Sequence, residues 1–462
     1  MKDLTQGPIG AQLVATAVPI AIGMLFQTLY LLVDLYFVAP IGDAAIAGVS
    51  SAATAGFVIV ALTQMLGVGT VALVSHAVGR KDQAAANRVF NQSVLLSGLC
   101  VVLTLAAGLL ASGAYARALA ADPAAVAAGT AYLLCYTPGL ALQFALVAMG
   151  SALRGTGIVK PTMVVQMLTV ILNILLAPVL ISGWGTHHAF GTAGAGLASS
   201  IAIAFGVLLL WLYFIRLEHY VALAPKLWAP DWRLIGRILN IGLPAGGEFL
   251  MLGVILGVVY WVIRPFGPAA QAGFGIGGRM MQALFLPVMA VAFAVAPVAG
   301  QNFGARQYAR VRETFRTAAV VSSVLMLLIT LVCQWRAEWF IYPFTRAPDV
   351  VAVGGPYLRI ISWNFVATGL IFTCSGMFQA LGNTWPSLLS SGSRLLTFVL
   401  PALWLSQRPH FTLTEVWYLS VATVALQALT SLALLARELR RKLAVLPASA
   451  GDPAVPAPSA GP

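Results

Sequence analysis

The chain has 462 residues, 60% of them hydrophobic and only 9% charged, with 26 basic side chains against 14 acidic ones. A soluble domain carries about 25% charged residues, so composition excludes an ordinary water-soluble fold. The net charge of +12 would suit a nucleic-acid binder, but its distribution along the chain, given below, excludes that class.

In hydrocarbon the backbone must satisfy itself as helix or closed barrel. The apolar runs here are too long and uniform for barrel strands, which alternate over about 10 residues, whereas a spanning helix needs about 20. Six spans are predicted in the first half, at about 11–38, 50–76, 89–113, 125–152, 160–182 and 190–216. Six more follow at about 238–263, 273–300, 314–336, 350–381, 385–406 and 412–437. The first span starts too late and runs too long for a cleaved signal peptide, and no small-residue cleavage site follows it.

Span 1 carries Asp34, flanked by Tyr30, Tyr36 and Phe37 and preceded by Gln27. A charge at bilayer depth costs at least about 2.5–3.5 kcal/mol on insertion scales and persists where it faces a cavity and works. A carboxyl there can exchange a proton or bind a cation; the alternative is a water-exposed helix end. After span 2 the chain reads Ser75-His-Ala-Val-Gly79-Arg-Lys-Asp, and after span 8 Gly300-Gln-Asn-Phe-Gly304-Ala-Arg-Gln. Each glycine is expected to end its helix in a left-handed cap.

The segment 217–237 is the longest polar connection and joins the two halves. Span 7 holds the second deep carboxylate, Glu248, one turn after Pro244. Arg394 in span 11 is placed at similar depth, and a buried Glu248–Arg394 pair would neutralise both, as structural clamp or as coupling element. Arg279 in span 8 either lines the cavity or reaches the headgroups. Tyr260, Trp261, Trp363 and Phe372 can hold a flat lipophilic cation by cation–π attraction, or pack as membrane aromatics do.

The halves repeat. Pro19 falls on Pro244 (244 − 19 = 225), and the same offset puts Gly79 on Gly304, Tyr132 on Tyr357, Gly157 on Gly382 and Pro161 on Pro386. A fixed offset means two copies of one structural unit. With an even number of spans each, the copies enter from the same side as parallel repeats about an axis along the membrane normal. The expected class is therefore an all-α polytopic membrane protein: twelve transmembrane helices in two six-helix lobes related by a pseudo-twofold. The expected divisions are a first lobe at 1–216, the interlobe loop 217–237, a second lobe at 238–437 and a disordered tail at 438–462.

Most basic residues lie in alternate connections. These are Arg80, Lys81 and Arg88; Arg154 and Lys160; Arg216, Lys226, Arg233 and Arg237; Arg306, Arg310, Arg312 and Arg316; and the tail cluster Arg437, Arg440, Arg441 and Lys442. That bias puts both termini in the cytoplasm, and the expected location is the inner membrane. The four cysteines sit inside spans as buried thiols. The five histidines sit at span ends or in loops and form no ligand pair at depth, so no metal site and no enzyme is expected.

These residues are similar to the multidrug and toxic compound extrusion (MATE) family, and in the second half to its DinF-like branch. The resemblance rests on Gln27, Tyr30 and Val33-Asp34 followed by Gly42, and on Leu153-Arg-Gly-Thr-Gly157 with Pro161. It rests also on Asn173-Ile-Leu-Leu-Ala-Pro178, Gly191 through Ser199, Gly278-Arg279 through Pro287, and Val298 through Ala305. It implies a V-shaped cavity between the lobes and export of amphiphilic organic cations, driven by inward movement of H⁺ or Na⁺, with no other cofactor. It also implies a coupling site of Asp34, Asn173 and Ser199. Many relatives carry a second aspartate four residues after the span-5 asparagine; this chain has Ala177, which favours protons over sodium. The glutamate typical of the NorM-like branch, deeper in span 7, is absent.

Expected partners are small organic substrates and membrane lipids, not nucleic acid, with the protein acting as a monomer. The nearest rival is a flippase for a lipid-linked precursor, which would carry a more basic cavity. A major-facilitator carrier fits poorly, because Gly79-Arg-Lys-Asp lacks the acidic-then-basic signature expected after span 2.

Overall fold

The structure, a computed structural model, describes residues 1–119, 122–185, 187–342 and 346–443; the side chains at 31, 32, 34, 35 and 51–53 are also outside the described residues. The first lobe contains α1 (Ile9–Val38), α2 (Asp43–Gly79), α3 (Gln83–Leu119), α4 (Pro123–Gly155), α5 (Lys160–Ser182) and α6 (Gly191–Arg216). The second contains α7 (Trp232–Ile263), α8 (Pro268–Gly304), α9 (Tyr308–Arg336), α10 (Pro348–Ile361), α11 (Phe365–Ala380), α12 (Trp385–Leu405) and α13 (Leu413–Leu443). Helices α10 and α11 form one span, Pro348–Ala380, so among the described residues twelve helices have the length and composition to cross a membrane. The protein is a multi-pass membrane protein of two pseudo-symmetric six-helix lobes.

Two boundaries differ from expectation. Helix α7 begins at Trp232, inside the expected 217–237 loop, because Asp231 caps it by accepting from the Leu234 N–H at 3.1 Å. Helix α13 runs to Leu443, past the expected tail boundary at 438. Glu438 holds it there, accepting from Asn383 at 2.9 Å and pairing with Arg441 at 3.2 Å.

The centre of the molecule is the pair α2 and α8, each 37 residues long. At 1.5 Å per residue that is about 55 Å, well beyond the roughly 30 Å hydrocarbon core. Helix α1 packs on α5 in its own lobe and on α8 across the seam; α7 packs on α12 in its own lobe and on α2 across the seam. These contacts exchange under the 225 offset, so the seam is built twice from one design.

Small residues set how closely the seam closes. A Cβ on Gly246 of α7 would lie 2.9 Å from the Ala61 carbonyl of α2, and one on Gly242 would strike the Met65 carbonyl.

Both lobes interrupt the hydrogen-bond ladder of their fourth span at the same place, although α4 stays one continuous helix. In α4 the break falls at Pro138, which lacks an N–H to continue the ladder. Ser200 of α6 fills the gap: its Oγ donates to the Cys135 carbonyl at 2.6 Å and accepts from the Gly139 N–H at 3.0 Å. The second lobe has Trp363 at the equivalent position (363 − 138 = 225), in a 3₁₀ turn, Ser362–Asn364, between α10 and α11. There α9 supplies the partners: Thr330 donates to the Ser362 carbonyl at 2.9 Å and Gln334 to the Arg359 carbonyl at 2.6 Å.

Candidate functional site

The two lobes lock together at the face that carries the N-terminus and the end of α13. His76 Nε2 of α2 donates to the Ala380 carbonyl at the end of α11 at 2.6 Å, and Gln301 Nε2 of α8 donates to the Gly155 carbonyl at the end of α4 at 3.0 Å. These are one bond made twice, since 301 − 76 and 380 − 155 are both 225.

Gly79 and Gly304 lie in the same crossing. A Cβ on Gly79 would strike the Gln301 carbonyl and one on Gly304 the His76 carbonyl. The expected left-handed caps at these glycines are corrected here. Both glycines are helical, and the left-handed positions are Lys81 at φ 58° and Arg306 at φ 59°. The bonds that close these ends are Asp82 N–H to the Ala77 carbonyl and Gln307 N–H to the Asn302 carbonyl, both 2.9 Å. Glycine is needed at 79 and 304 because two helix backbones meet there.

The N-terminal segment seals this gate. Leu4 is fully buried; its N–H donates to Gln301 Oε1 at 2.9 Å and its carbonyl accepts from Asn302 at 3.1 Å. The Lys2 N–H donates to the Thr156 carbonyl of the first lobe at 2.9 Å, while Arg310 of the second lobe reaches the Gly7 carbonyl at 2.8 Å. Asp3 is held below the usual carboxylate range, chiefly by the Thr5 hydroxyl that donates to it at 2.6 Å.

Immediately beyond the gate lies a narrow cavity on the seam, lined from both lobes by Gln64, Val71, Arg154, Phe293, Ala296 and Gln379. Its walls are pseudo-symmetric: Val71 matches Ala296, and Arg154 matches Gln379 (379 − 154 = 225). The sequence places Arg154 in the connection between spans 4 and 5. It is instead in the last turn of α4, with Nη2 donating to Ser151 at 2.8 Å and its guanidinium over the Phe293 ring at 5.8 Å. Its Nε is buried with no hydrogen-bond partner, and none of the ion pairs among the described residues includes it.

In the second lobe Glu248 does not pair with Arg394. Its Oε2 accepts from Ser387 at 2.7 Å and Ser375 at 3.3 Å, and its Oε1 accepts from Ser391 at 3.3 Å. The cause is helix register. Gly247 faces Leu388 and Gly392 faces Met251, an offset of 141 in both (388 − 247 and 392 − 251). That sets Glu248 level with position 389 and Arg394 level with position 253, roughly 7 Å farther along the axis. Span starts put the two at equal depth, but the same register sets Trp385, the first residue of α12, level with position 244 of α7 (385 − 141), well inside that helix. Arg394 Nε is buried without a hydrogen-bond partner.

In the first lobe Asn173 on α5 and Ser199 on α6 are fully buried, on helices that pack together, and Ala177 is buried beside them. The side chain of Asp34 lies outside the described residues. Gln27 and Arg279 are exposed and Tyr30 is half-buried. Tyr36, Trp261 and Trp363 are 74%, 57% and 65% exposed, turned away from their lobes' cores. None of these cavity candidates lines the seam cavity. Sequence reading missed Gln64, Gln301 and Gln379. The usable signal was the offset itself, since it superimposes Gln301 on His76 and Gln379 on Arg154.

A helical membrane protein with twinned lobes, closed over a polar seam at one face, is a membrane transporter. The chain belongs to the MatE family, whose profile matches residues 19–179 and 244–404, two segments again displaced by 225 (244 − 19 and 404 − 179). It is similar to the probable multidrug resistance protein YpnP of Bacillus subtilis (strain 168), 27% identical over 418 residues and 90% of each chain. Multidrug export protein MepA of Staphylococcus aureus (strain MSSA476) is 25% identical over 395 residues, 83% of this chain and 85% of the relative. The fold matches a MOP-superfamily transporter from Pyrococcus furiosus with a TM-score of 0.87 at 24% identity, covering 95% and 98% of the two chains. It also matches an outward-facing MATE transporter with a TM-score of 0.88, over the same shares at 24% identity.

Proposed function

We propose that the protein exports amphiphilic organic compounds, cationic ones among them, from the cytoplasm in exchange for protons rather than sodium. The observation that carries this reading is the paired latch, His76 to Ala380 and Gln301 to Gly155, together with the N-terminal strap, all at one face. Among the described residues, the hydrogen bonds that join the lobes there are this latch and the strap's, so closing and opening that face is a rigid-body exchange between two states. The names of the relatives, multidrug resistance and multidrug export, supply the cargo class.

Both termini lie in the cytoplasm and the membrane is the inner one. The basic residues clustered at the latched face (Arg80, Lys81, Arg306, Arg310, Arg440, Arg441) support this by the positive-inside bias. Asp34 takes up a proton with Asn173 and Ser199 as polar partners. Ala177 leaves no second carboxylate at that point of α5, and a hard metal cation is held by several oxygens, charged ones among them. Coupling follows when proton and cargo favour different states of the lobes. The protein works as a monomer, with lipids around it.

The test is dye efflux from proteoliposomes under an imposed ΔpH or ΔNa⁺, with wild type beside Asp34→Asn. Transport driven by ΔpH in wild type and lost in the variant is expected. Equal driven transport in the variant removes Asp34 from coupling, and dependence on ΔNa⁺ alone replaces the proton.

A further inference from the structure

The half-buried arginine on the seam, its Nε fully enclosed, has no ion-pair partner among the described residues, and its position says what would supply one. We propose that Arg154 is the docking point for an anionic group on the cargo, a carboxylate or similar oxyanion, so that the exported amphiphiles include zwitterions; this rests on the export reading above.

A guanidinium offers five N–H donors in a planar fork. Here Ser151 takes one at 2.8 Å, Nε is buried without a partner, and the Phe293 face lies at 5.8 Å. Leaving a buried charge uncompensated is costly, and the fork matches a carboxylate in two-point geometry. Gln64 and Gln379 line the same cavity, and their amide N–H groups can donate to the same oxyanion. Phe293 and Val68 supply apolar wall for the rest of an amphiphile.

The location adds direction. The cavity sits next to the latch, and Gly155, the neighbour of Arg154, is the residue whose carbonyl Gln301 holds. With the latch closed the cavity is narrow and the guanidinium's Nε is unpartnered. Opening the latched face widens the seam beside it and lets the oxyanion in. Cargo therefore binds the open state better, which is the differential affinity an exporter needs at its loading side. By linkage, weakening the latch tightens binding of the oxyanion.

The experiment uses two dyes of nearly one shape: rhodamine B, whose free carboxylate makes it zwitterionic, and its ethyl ester, a cation. Binding to the purified full chain in non-ionic detergent is followed by fluorescence anisotropy, for wild type, Arg154→Gln, Arg154→Lys and Gln301→Ala. Wild type is expected to bind rhodamine B about tenfold tighter than the ester. R154Q should lose that preference by weakening rhodamine B alone, R154K should keep part of it, and Q301A should tighten rhodamine B but not the ester. Equal binding of the two dyes by wild type overturns the proposal, as does R154Q weakening both alike. If R154Q fails to fold by thermal melting, absence of any preference in well-folded R154K overturns it. Phosphatidylglycerol displacing rhodamine B at lower concentration than the free dye itself assigns Arg154 to lipid headgroups and overturns the cargo assignment. Driven efflux of the ester from proteoliposomes without a carboxylate preference sinks this inference alone; no driven transport of either dye sinks the export reading too.

Discussion

His76 and Gln301 occupy one position in two copies of the same unit and grip each other's lobes, at 2.6 Å to the Ala380 carbonyl and 3.0 Å to the Gly155 carbonyl. The gate is symmetric in geometry and asymmetric in chemistry, because Gln301 also accepts from the buried Leu4 N–H through its other amide atom. An amide can donate to one lobe and accept from the strap together; a neutral imidazole with its proton on Nε2 serves the carbonyl alone on that side.

Gln301→Ala should therefore cost more than His76→Ala. It strands both the Leu4 N–H and the Gly155 carbonyl, about 1–3 kcal/mol for each buried group left unsatisfied, against one such group for His76→Ala. Thermal melts in detergent measure the difference. Cysteine-labelling at the seam should rise in the same order, and equal labelling in the two variants would show that the strap adds nothing to closure.

Glu248 should tolerate loss of charge better than loss of its oxygens. Three serine hydroxyls aim at it from α11 and α12, so Glu248→Ala strands several donors at about 1–3 kcal/mol each. Glu248→Gln keeps an acceptor and should melt within about 1 kcal/mol of wild type. If Glu248 carries protons, ΔpH-driven efflux falls in both variants; full efflux by Glu248→Gln would make it a structural carboxylate.

Ser200→Ala should destabilise the first lobe by about 1–3 kcal/mol, because it frees the Cys135 carbonyl and the Gly139 N–H at the Pro138 break together. Its neighbour Ser199, substituted alike, leaves that break intact. Paired melting curves of the two variants separate the roles.

The strap should loosen in acid. Asp3 sits below the usual carboxylate range, mainly through the Thr5 hydroxyl. Its contribution is therefore complete above the ordinary carboxylate pKa and is lost as pH falls through the lowered value. Thr5→Ala should lower stability slightly near neutral pH and not at all in strong acid. A difference that persists unchanged into acid would mean the hydroxyl works without the carboxylate.

The number of spans, their twinning and the family were all legible along the chain. Hydropathy is local, and the 225 offset is a property of one dimension. Pro19 and Pro244, or Gly157 and Gly382, announce the repeat whatever their surroundings. What each side chain touches is another matter, because it depends on where neighbouring helices begin and how they slide. Glu248 meets Ser387 and Ser391 rather than Arg394 because α12 starts level with position 244 of α7 rather than with the start of its apolar run. Gly79 and Gly304 read as caps, yet only the crossing of α2 and α8 revealed that their missing Cβ atoms make room for a neighbour's backbone. Arg154 counted as surface charge until the second lobe closed over it. Transfer out of water is decided residue by residue along the sequence, whereas hydrogen-bond partners are decided by register between helices, which no single stretch of sequence contains.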